Sequence, residues 1–431
     1  MRIVEISSIP RIEGHAALEL VVDPRERRCL EVRLRVFEGP RLFEYILRGR
    51  MWWETPWITS RICGVCGYAH AVCSAQAVED ALGVEVDEDA AIARELALRL
   101  NTIDSHLLHL ALLMLPDIHG VERRRDIVRK IIKLRGYVGR MARMLFGDRV
   151  HPRAIVVGGV VLPQVGDLGR AAPLAEEVSK LAVIVEEFGA VLADELEELR
   201  RVSRMRLSFV AASPRRGCYL LGGDEIIVDA SFRIPRHLYR RYFSEVTLRY
   251  STSRKSLLYG RDPFIVGAGA RLSTYGVSSL GSEARSAAQK LGVKPPATSP
   301  VDIPLAQAVE VVGLASSLPQ LLEEVPGRAP HTVEIRPAKG GTGVGVIEAP
   351  RGMLYHSYTV ARDGRITASD IVTPTAHNIA SMEVAVANAV NTVLSDGAGV
   401  EEVKKVAELV VRSADPCISC AVHVVVIESR S

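Results

Sequence analysis

The sequence lacks the features that would commit it to a membrane, to export or to a nucleotide. No apolar run reaches the ~18 residues that a bilayer-spanning helix needs. The best candidate, 105–116, is short and carries two histidines. The opening Met-Arg-Ile-Val-Glu-Ile has no basic region followed by an apolar stretch, so no secretory signal is expected. No Gly-x-Gly-x-x-Gly fingerprint and no phosphate loop is present for a nucleotide. Neither sign of charge is in excess: 54 Lys and Arg face 51 Asp and Glu, for a net +3, which gives no reason to expect nucleic acid. Repeats and low-complexity segments are missing. With 48% hydrophobic and 24% charged residues, the 431-residue chain has the composition of a folded protein rather than a disordered one. Cysteine is scarce, and its count of seven is odd, which argues against a secreted disulfide framework.

The patterning predicts an α+β protein, mainly α, in which a bundle of long helices is flanked by small sheets. Residues 1–40 read as β-rich, with strands at 16–22 and 29–37. Helical spacing runs over 90–115, up to Pro116, and again over 121–146 with a basic outer face. A third long helix is expected from Pro173 to about residue 205. Residues 208–300 read as loops with short strands and helices. A helix follows over 303–325 with Pro319 as a kink, then strands over 332–371 with Asp363-Gly364 as a hairpin turn. Helices return at 376–394 and 400–412. No long linker divides the chain, so 1–431 reads as one unit whose helical core comes from 57–205 and 376–423.

Four of the seven cysteines form two Cys-x-x-Cys pairs. One lies in Arg61-Ile-Cys63-Gly-Val-Cys66-Gly-Tyr-Ala-His70, the other in Asp415-Pro-Cys417-Ile-Ser-Cys420-Ala-Val-His423. The i, i+3 spacing is expected to put both sulfurs of a pair on one side of a helical turn, with a histidine following on that side. Four converging thiolates make a soft site for zinc, nickel, copper(I) or iron. A structural zinc module usually has its pairs about 15–20 residues apart, whereas residues 67–416 separate these two. Independent redox dithiols or buried cysteines would leave the matching ends of the chain unexplained.

The two motifs resemble those of the large subunit of nickel–iron hydrogenases. Further segments are similar to that family in the same order: Arg11-Ile-Glu13-Gly-His15, Phe43-Glu44-Tyr-Ile-Leu-Arg-Gly-Arg50, Ser105-His106-Leu-Leu-His109, His151-Pro152 with Gly158-Gly159, Glu348-Ala-Pro350-Arg351-Gly352, and Val372-Thr-Pro374-Thr375-Ala-His-Asn378. The compact length and the Pro-Thr-Ala form look most like the cytosolic branch, with its F420-non-reducing or sulfhydrogenase-like alpha subunits. A quinone-oxidoreductase subunit of the same fold lacks the cysteine pairs.

The resemblance implies reversible heterolytic cleavage of H₂ at a nickel–iron centre whose iron carries one carbon monoxide and two cyanides. Cys63 and Cys417 would be terminal nickel ligands, with Cys66 and Cys420 bridging. Cys417 would take the proton and Glu13 would relay it. Arg351 would hang over the open side of the metals, with Asp117 and Asp415 as its acidic partners. Thr375 would donate to a cyanide, Pro350 and Pro374 would form apolar walls, and His70 would hydrogen-bond a bridging sulfur. Glu44, the Ile371 carbonyl and His423 would hold a second ion, Mg²⁺ or Fe²⁺. His106 and His109 read as supporting residues, and Cys29, Cys73 and Cys218 as structural. The three cysteines left are too few for a four-thiolate iron–sulfur cluster, so the resemblance implies an iron–sulfur small subunit and further electron-transfer subunits. It also implies a cytoplasmic location and a maturation protease that removes 424–431. The alternatives are a hydrogen-sensing regulatory subunit and a zinc-binding electron-transfer scaffold.

Overall fold

The computed structural model describes residues 2–39, 42–114, 125–161, 165–325, 331–333, 335 and 340–422. The expected α+β architecture, mainly helical with small sheets, is what the chain adopts. The N-terminal strands Ala16–Asp23 and Arg28–Val36 form an antiparallel sheet. A strand that the pattern did not reveal, Arg2–Ile6, pairs with the first of them.

The helices Gly67–Leu82, Glu88–Leu108, Arg125–Phe146, Ile303–Ser316 and Pro374–Ser395 contribute residues to one large apolar cluster, which also includes all four paired cysteines. Two local details depart from the periodic reading, and a third agrees with it. Glu88–Leu108 runs on into a π-helical turn, His109–Met114, so the chain changes its winding beside the buried His109 before Pro116 is reached. The expected single helix from Pro173 is two, Val165–Leu181 and Val183–Val202, with Pro173 inside the first. The missing N–H of that proline costs one helical bond, which the buried flanking Ala171, Ala175 and Val178 help to offset. The kink expected at Pro319 is present: the chain bends by 48° between Pro300–Ser316 and Leu318–Glu324. Among the described residues no single helix is long and apolar enough to cross a membrane.

One small sheet reaches into the interior. Strands Gly341–Ala349, Gly352–Val360 and Ile366–Val372 form an antiparallel meander, and the first lies against helix Gly67–Leu82 at backbone contact. A Cβ at Gly343 would meet the Ala81 nitrogen at 2.1 Å, and one at Gly345 would meet the Cys73 carbonyl at 2.3 Å, so the alternating glycines permit the approach. Helix side chains then satisfy the strand edge: Val344 N–H donates to Asp80 at 2.7 Å and Val346 N–H to Gln76 at 2.9 Å. The turn Ala349-Pro350-Arg351-Gly352 is thereby held as a two-residue hairpin tip inside the protein.

Candidate metal centre

Both cysteine pairs sit where loops enter short or long helices. Cys63 is extended, and Cys66 is the residue preceding helix Gly67–Leu82. Cys417 likewise precedes the short helix Ile418–Ala421. The second pair therefore spans a helical turn, as its spacing suggested, with the Cys420 N–H donating to the Cys417 carbonyl at 3.2 Å, whereas the first pair does not. The first forms a loop in which the Val65 and Cys66 N–H groups both donate to the Cys63 sulfur at 3.3 Å.

The second pair comes to the first because the chain ends pair locally. Glu13 and Cys417 form a parallel β-bridge, and the Ile418 N–H donates to the Glu13 carbonyl at 2.9 Å. The sulfurs of Cys63, Cys66, Cys417 and Cys420 lie within 4.8 Å of one another, all buried. Cys63 and Cys417 are 3.3 Å apart, Cys66 and Cys420 3.7 Å, and Cys417 and Cys420 2.6 Å. Sulfhydryl donation from Cys417, Cys420 and Cys63 holds the Cys66 thiol well below its ordinary pKa, whereas burial pushes Cys417 and Cys420 well above theirs. Four sulfurs this close cannot all ionise out of water without a cation between them. The donor set thus fits a soft, thiophilic metal.

Glu13 is half-buried beside this group. Its Oε2 accepts from the Cys417 sulfhydryl at 3.1 Å and from the Ser419 N–H at 3.1 Å, while the Ser419 hydroxyl donates to Oε1. Thr375, at the start of helix Pro374–Ser395, accepts from the Cys417 N–H at 2.8 Å. Its own hydroxyl proton therefore points elsewhere.

Arg351 occupies the hairpin tip and is only 5% exposed. It grips Asp415 twice, Nε to the carbonyl at 2.8 Å and Nη2 to Oδ1 at 2.9 Å, and Nη1 donates to the Ser105 hydroxyl at 3.3 Å. Burial works against its charge, but Asp415 and the sulfurs of Cys417, Cys63 and Cys66 outweigh it and keep the guanidinium cationic. Asp415 itself takes a left-handed backbone, φ 49°, two residues before Cys417. Gln307 donates to its second oxygen at 2.9 Å. Pro350 and Pro374 are buried on the segments that carry Arg351 and Thr375. Asp117 lies outside the described residues.

His70 meets His356 at 3.1 Å through Nδ1. Its buried Nε2 makes no regular hydrogen bond among the described residues, yet the ring is near enough to Cys66 to help lower that thiol. Glu44 and Ile371 come together, Oε1 accepting from the Ile371 N–H at 2.9 Å; His423 lies outside the described residues. His106 and His109 stand apart from the sulfurs, bonded to Glu310 and to Gln307 with the Arg412 carbonyl. Cys29, Cys73 and Cys218 are outside the four-sulfur group, and burial raises all three thiols.

Sequence reasoning did not single out Ser419, Gln307, His356, Glu310 or Arg271. For Gln307 and Glu310 a signal existed: they are the two polar side chains in the otherwise apolar stretch from Ile303 to Ala315, and both are buried.

Comparison with known proteins agrees with this geometry. The family model described as nickel-dependent hydrogenase matches residues 41–121 and 305–423, the stretches that carry the two cysteine pairs. The alpha subunits of sulfhydrogenase 2 and sulfhydrogenase 1 from Pyrococcus furiosus are 32% and 33% identical, covering 98% of this chain and 99% and 98% of theirs. The solved structure of an NAD⁺-reducing NiFe-hydrogenase in the H₂-reduced state superposes with a TM-score of 0.85 at 25% identity, over 98% of this chain and all of that one. On full-length similarity, on fold and on its buried four-cysteine group, the chain belongs to the nickel-dependent hydrogenase family as a large subunit, an oxidoreductase acting on hydrogen.

Proposed function

We propose that this subunit splits H₂ heterolytically at a nickel–iron centre held by Cys63, Cys66, Cys417 and Cys420. The observation that carries the reading is the placing of a carboxylate, Glu13, on one sulfur of a buried four-cysteine group, with a buried guanidinium, Arg351, alongside. When bound, the centre with its carbon monoxide and two cyanides supplies the two-electron acceptor that no side chain provides.

The chain's own residues handle the proton. Cys417 is the thiolate that accepts it, and Glu13 Oε2 is within reach to take it on. Ser419 fixes the carboxylate from both oxygens, so the acceptor lone pair stays aimed at sulfur. Arg351, locked by Asp415 and Ser105, and the Thr375 hydroxyl present donors at the cluster's edge. Burial excludes water from the cysteines. Glu44, Ile371 and His423 would hold the second ion, a hard cation if the carboxylate dominates.

Electrons need an exit. The three cysteines outside the centre are dispersed, so an iron–sulfur small subunit would receive the electrons, with further electron-transfer subunits beyond it. The similarity to sulfhydrogenase alpha subunits supports such an assembly, and the likeness to the cytosolic branch supports a cytoplasmic location. The tail 424–431, outside the described residues, is a candidate for removal by a maturation protease after His423. Mass spectrometry of active enzyme should show the chain ending at His423; an intact Ser431 end refutes removal. Hydrogen uptake with an artificial dye tests the function itself: turnover that follows nickel content supports it, and a nickel-loaded complex without turnover contradicts it.

A further inference from the structure

Behind the hairpin tip lies a second concentration of buried charge, distinct from the cysteines. Arg271, on helix Ala268–Tyr275, and Glu310, on Ile303–Ser316, have no exposed surface, and Glu348 has 1%. The five N–H groups of Arg271 are matched by five acceptors. Nε and Nη2 grip Glu310 at 2.7 and 2.6 Å; Nη1 donates to Glu348 at 2.9 Å and to the Ala349 carbonyl at 3.0 Å; Nη2 also donates to the Pro350 carbonyl at 3.1 Å. One guanidinium thus holds the three consecutive residues that precede Arg351.

The surrounding contacts aim at the same tip. Tyr219 donates to Glu310 at 2.8 Å, and His106 meets its other oxygen at 2.9 Å. His106 neighbours Ser105, the acceptor of an Arg351 bond. Gln307, one turn before Glu310, donates to Asp415, the main partner of Arg351. Two glycines let the backbones meet: a Cβ at Gly267 would lie 2.9 Å from the Arg351 carbonyl, and one at Gly352 would lie 2.5 Å from the Gly267 nitrogen. Burying a cation and two carboxylates is costly for stability and is often replaceable by apolar packing. A stability role would be met by any buried acceptors; here two of the five are the carbonyls of the turn that carries Arg351.

We propose that Arg271 is a positioning residue for Arg351, its fork fixing the Ala349–Pro350 turn and hence the placement of the Arg351 guanidinium at the metal centre. The inference rests on the hydrogenase reading above. Lysine keeps the charge but offers three donors from one point and cannot span Glu310, Glu348 and two carbonyls. A displacement of about 1 Å at a reacting centre costs on the order of 100-fold in rate.

The test compares Arg271→Lys with Arg94→Lys in the purified, metal-loaded complex. Arg94 is an equally buried arginine, bidentate on Glu79 and bonded to the carbonyls of Val156 and Gly159, but it makes no bond to the hairpin tip. Infrared spectra of the bound cyanides and carbon monoxide are read alongside kcat and KM for H₂. Arg271→Lys should shift the cyanide bands and lower kcat by roughly 10–100-fold with normal nickel content, whereas Arg94→Lys should lower thermal stability and leave the bands in place. Unshifted bands and parental kcat in Arg271→Lys overturn the proposal, as does an equal effect from Arg94→Lys. If Arg271→Lys does not load metal, Tyr219→Phe, which removes a single donor from Glu310, carries the test: a smaller shift of the cyanide bands supports the role, and unchanged bands overturn it. A parent enzyme with no diatomic bands overturns the metal-centre reading, and this inference with it, and is thereby told apart from a failure confined to the variants.

Discussion

Exchanging Glu13 for glutamine isolates proton transfer from everything else at the centre. The carboxylate takes the Cys417 sulfhydryl and the Ser419 N–H on Oε2, and the Ser419 hydroxyl on Oε1. A glutamine can place its carbonyl oxygen in the Oε2 position and keep both of those bonds. Its amide nitrogen then faces the Ser419 hydroxyl, which can rotate and accept. The change should therefore cost no more than about 1 kcal/mol of stability, the scale of one adjusted hydrogen bond. What is lost is proton acceptance. Removing a positioned acid–base group usually costs 10²–10⁴-fold, or ~2.7–5.4 kcal/mol in the barrier. Nickel content and infrared bands should stay as in the parent, while H₂ oxidation and exchange between H₂ and D₂O fall together. Near-normal turnover and exchange in a fully metallated Glu13→Gln enzyme would refute the assignment and show that protons leave by another route.

Two further outcomes follow from the same geometry. Serine at Cys63, Cys66, Cys417 or Cys420 should abolish nickel retention or turnover, because a hard hydroxyl cannot replace a soft thiolate; serine at Cys29, Cys73 or Cys218 should leave nickel intact, and metal analysis of the seven variants checks this. His377 is held neutral by burial, which lowers its pKa to about 3 from 6.5. The unfolded chain binds that proton first, so His377 destabilises the fold as pH falls below 6.5, by roughly 1.4 kcal/mol per pH unit. In urea unfolding between pH 6 and 4, His377→Gln should flatten the acid slope by about that amount, and an unchanged slope contradicts the argument.

The four-cysteine group was legible because thiolate pairs at both ends of a chain have few other uses, and because a motif survives when its environment is unknown. Helices such as Arg125–Phe146 and Pro374–Ser395 were legible from period alone. The backbone at the first cysteine pair was not. An i, i+3 spacing suits a helical turn and a loop before a helix equally, and the N–H groups bonded to Cys63 decide for the loop. Nor could the sequence show that Pro350 and Arg351 form a two-residue hairpin tip, since Glu348-Ala-Pro-Arg-Gly reads as one strand-like stretch. Gly341, Gly343 and Gly345 look like loop residues until helix Gly67–Leu82 is seen to need their missing side chains. Arg271, the counterpart of Glu310 and Glu348, gave no pattern because its partners lie on two other elements.

The central claim is that Cys63, Cys66, Cys417 and Cys420 hold a nickel–iron centre rather than a lone zinc or an empty thiol cluster. Infrared spectroscopy of the anaerobically purified complex tests it most directly, because carbon monoxide and cyanide absorb where no protein group does. The account predicts one carbon monoxide band and two cyanide bands that shift when the sample is placed under H₂. A stably folded, nickel-containing complex with no such bands would contradict it.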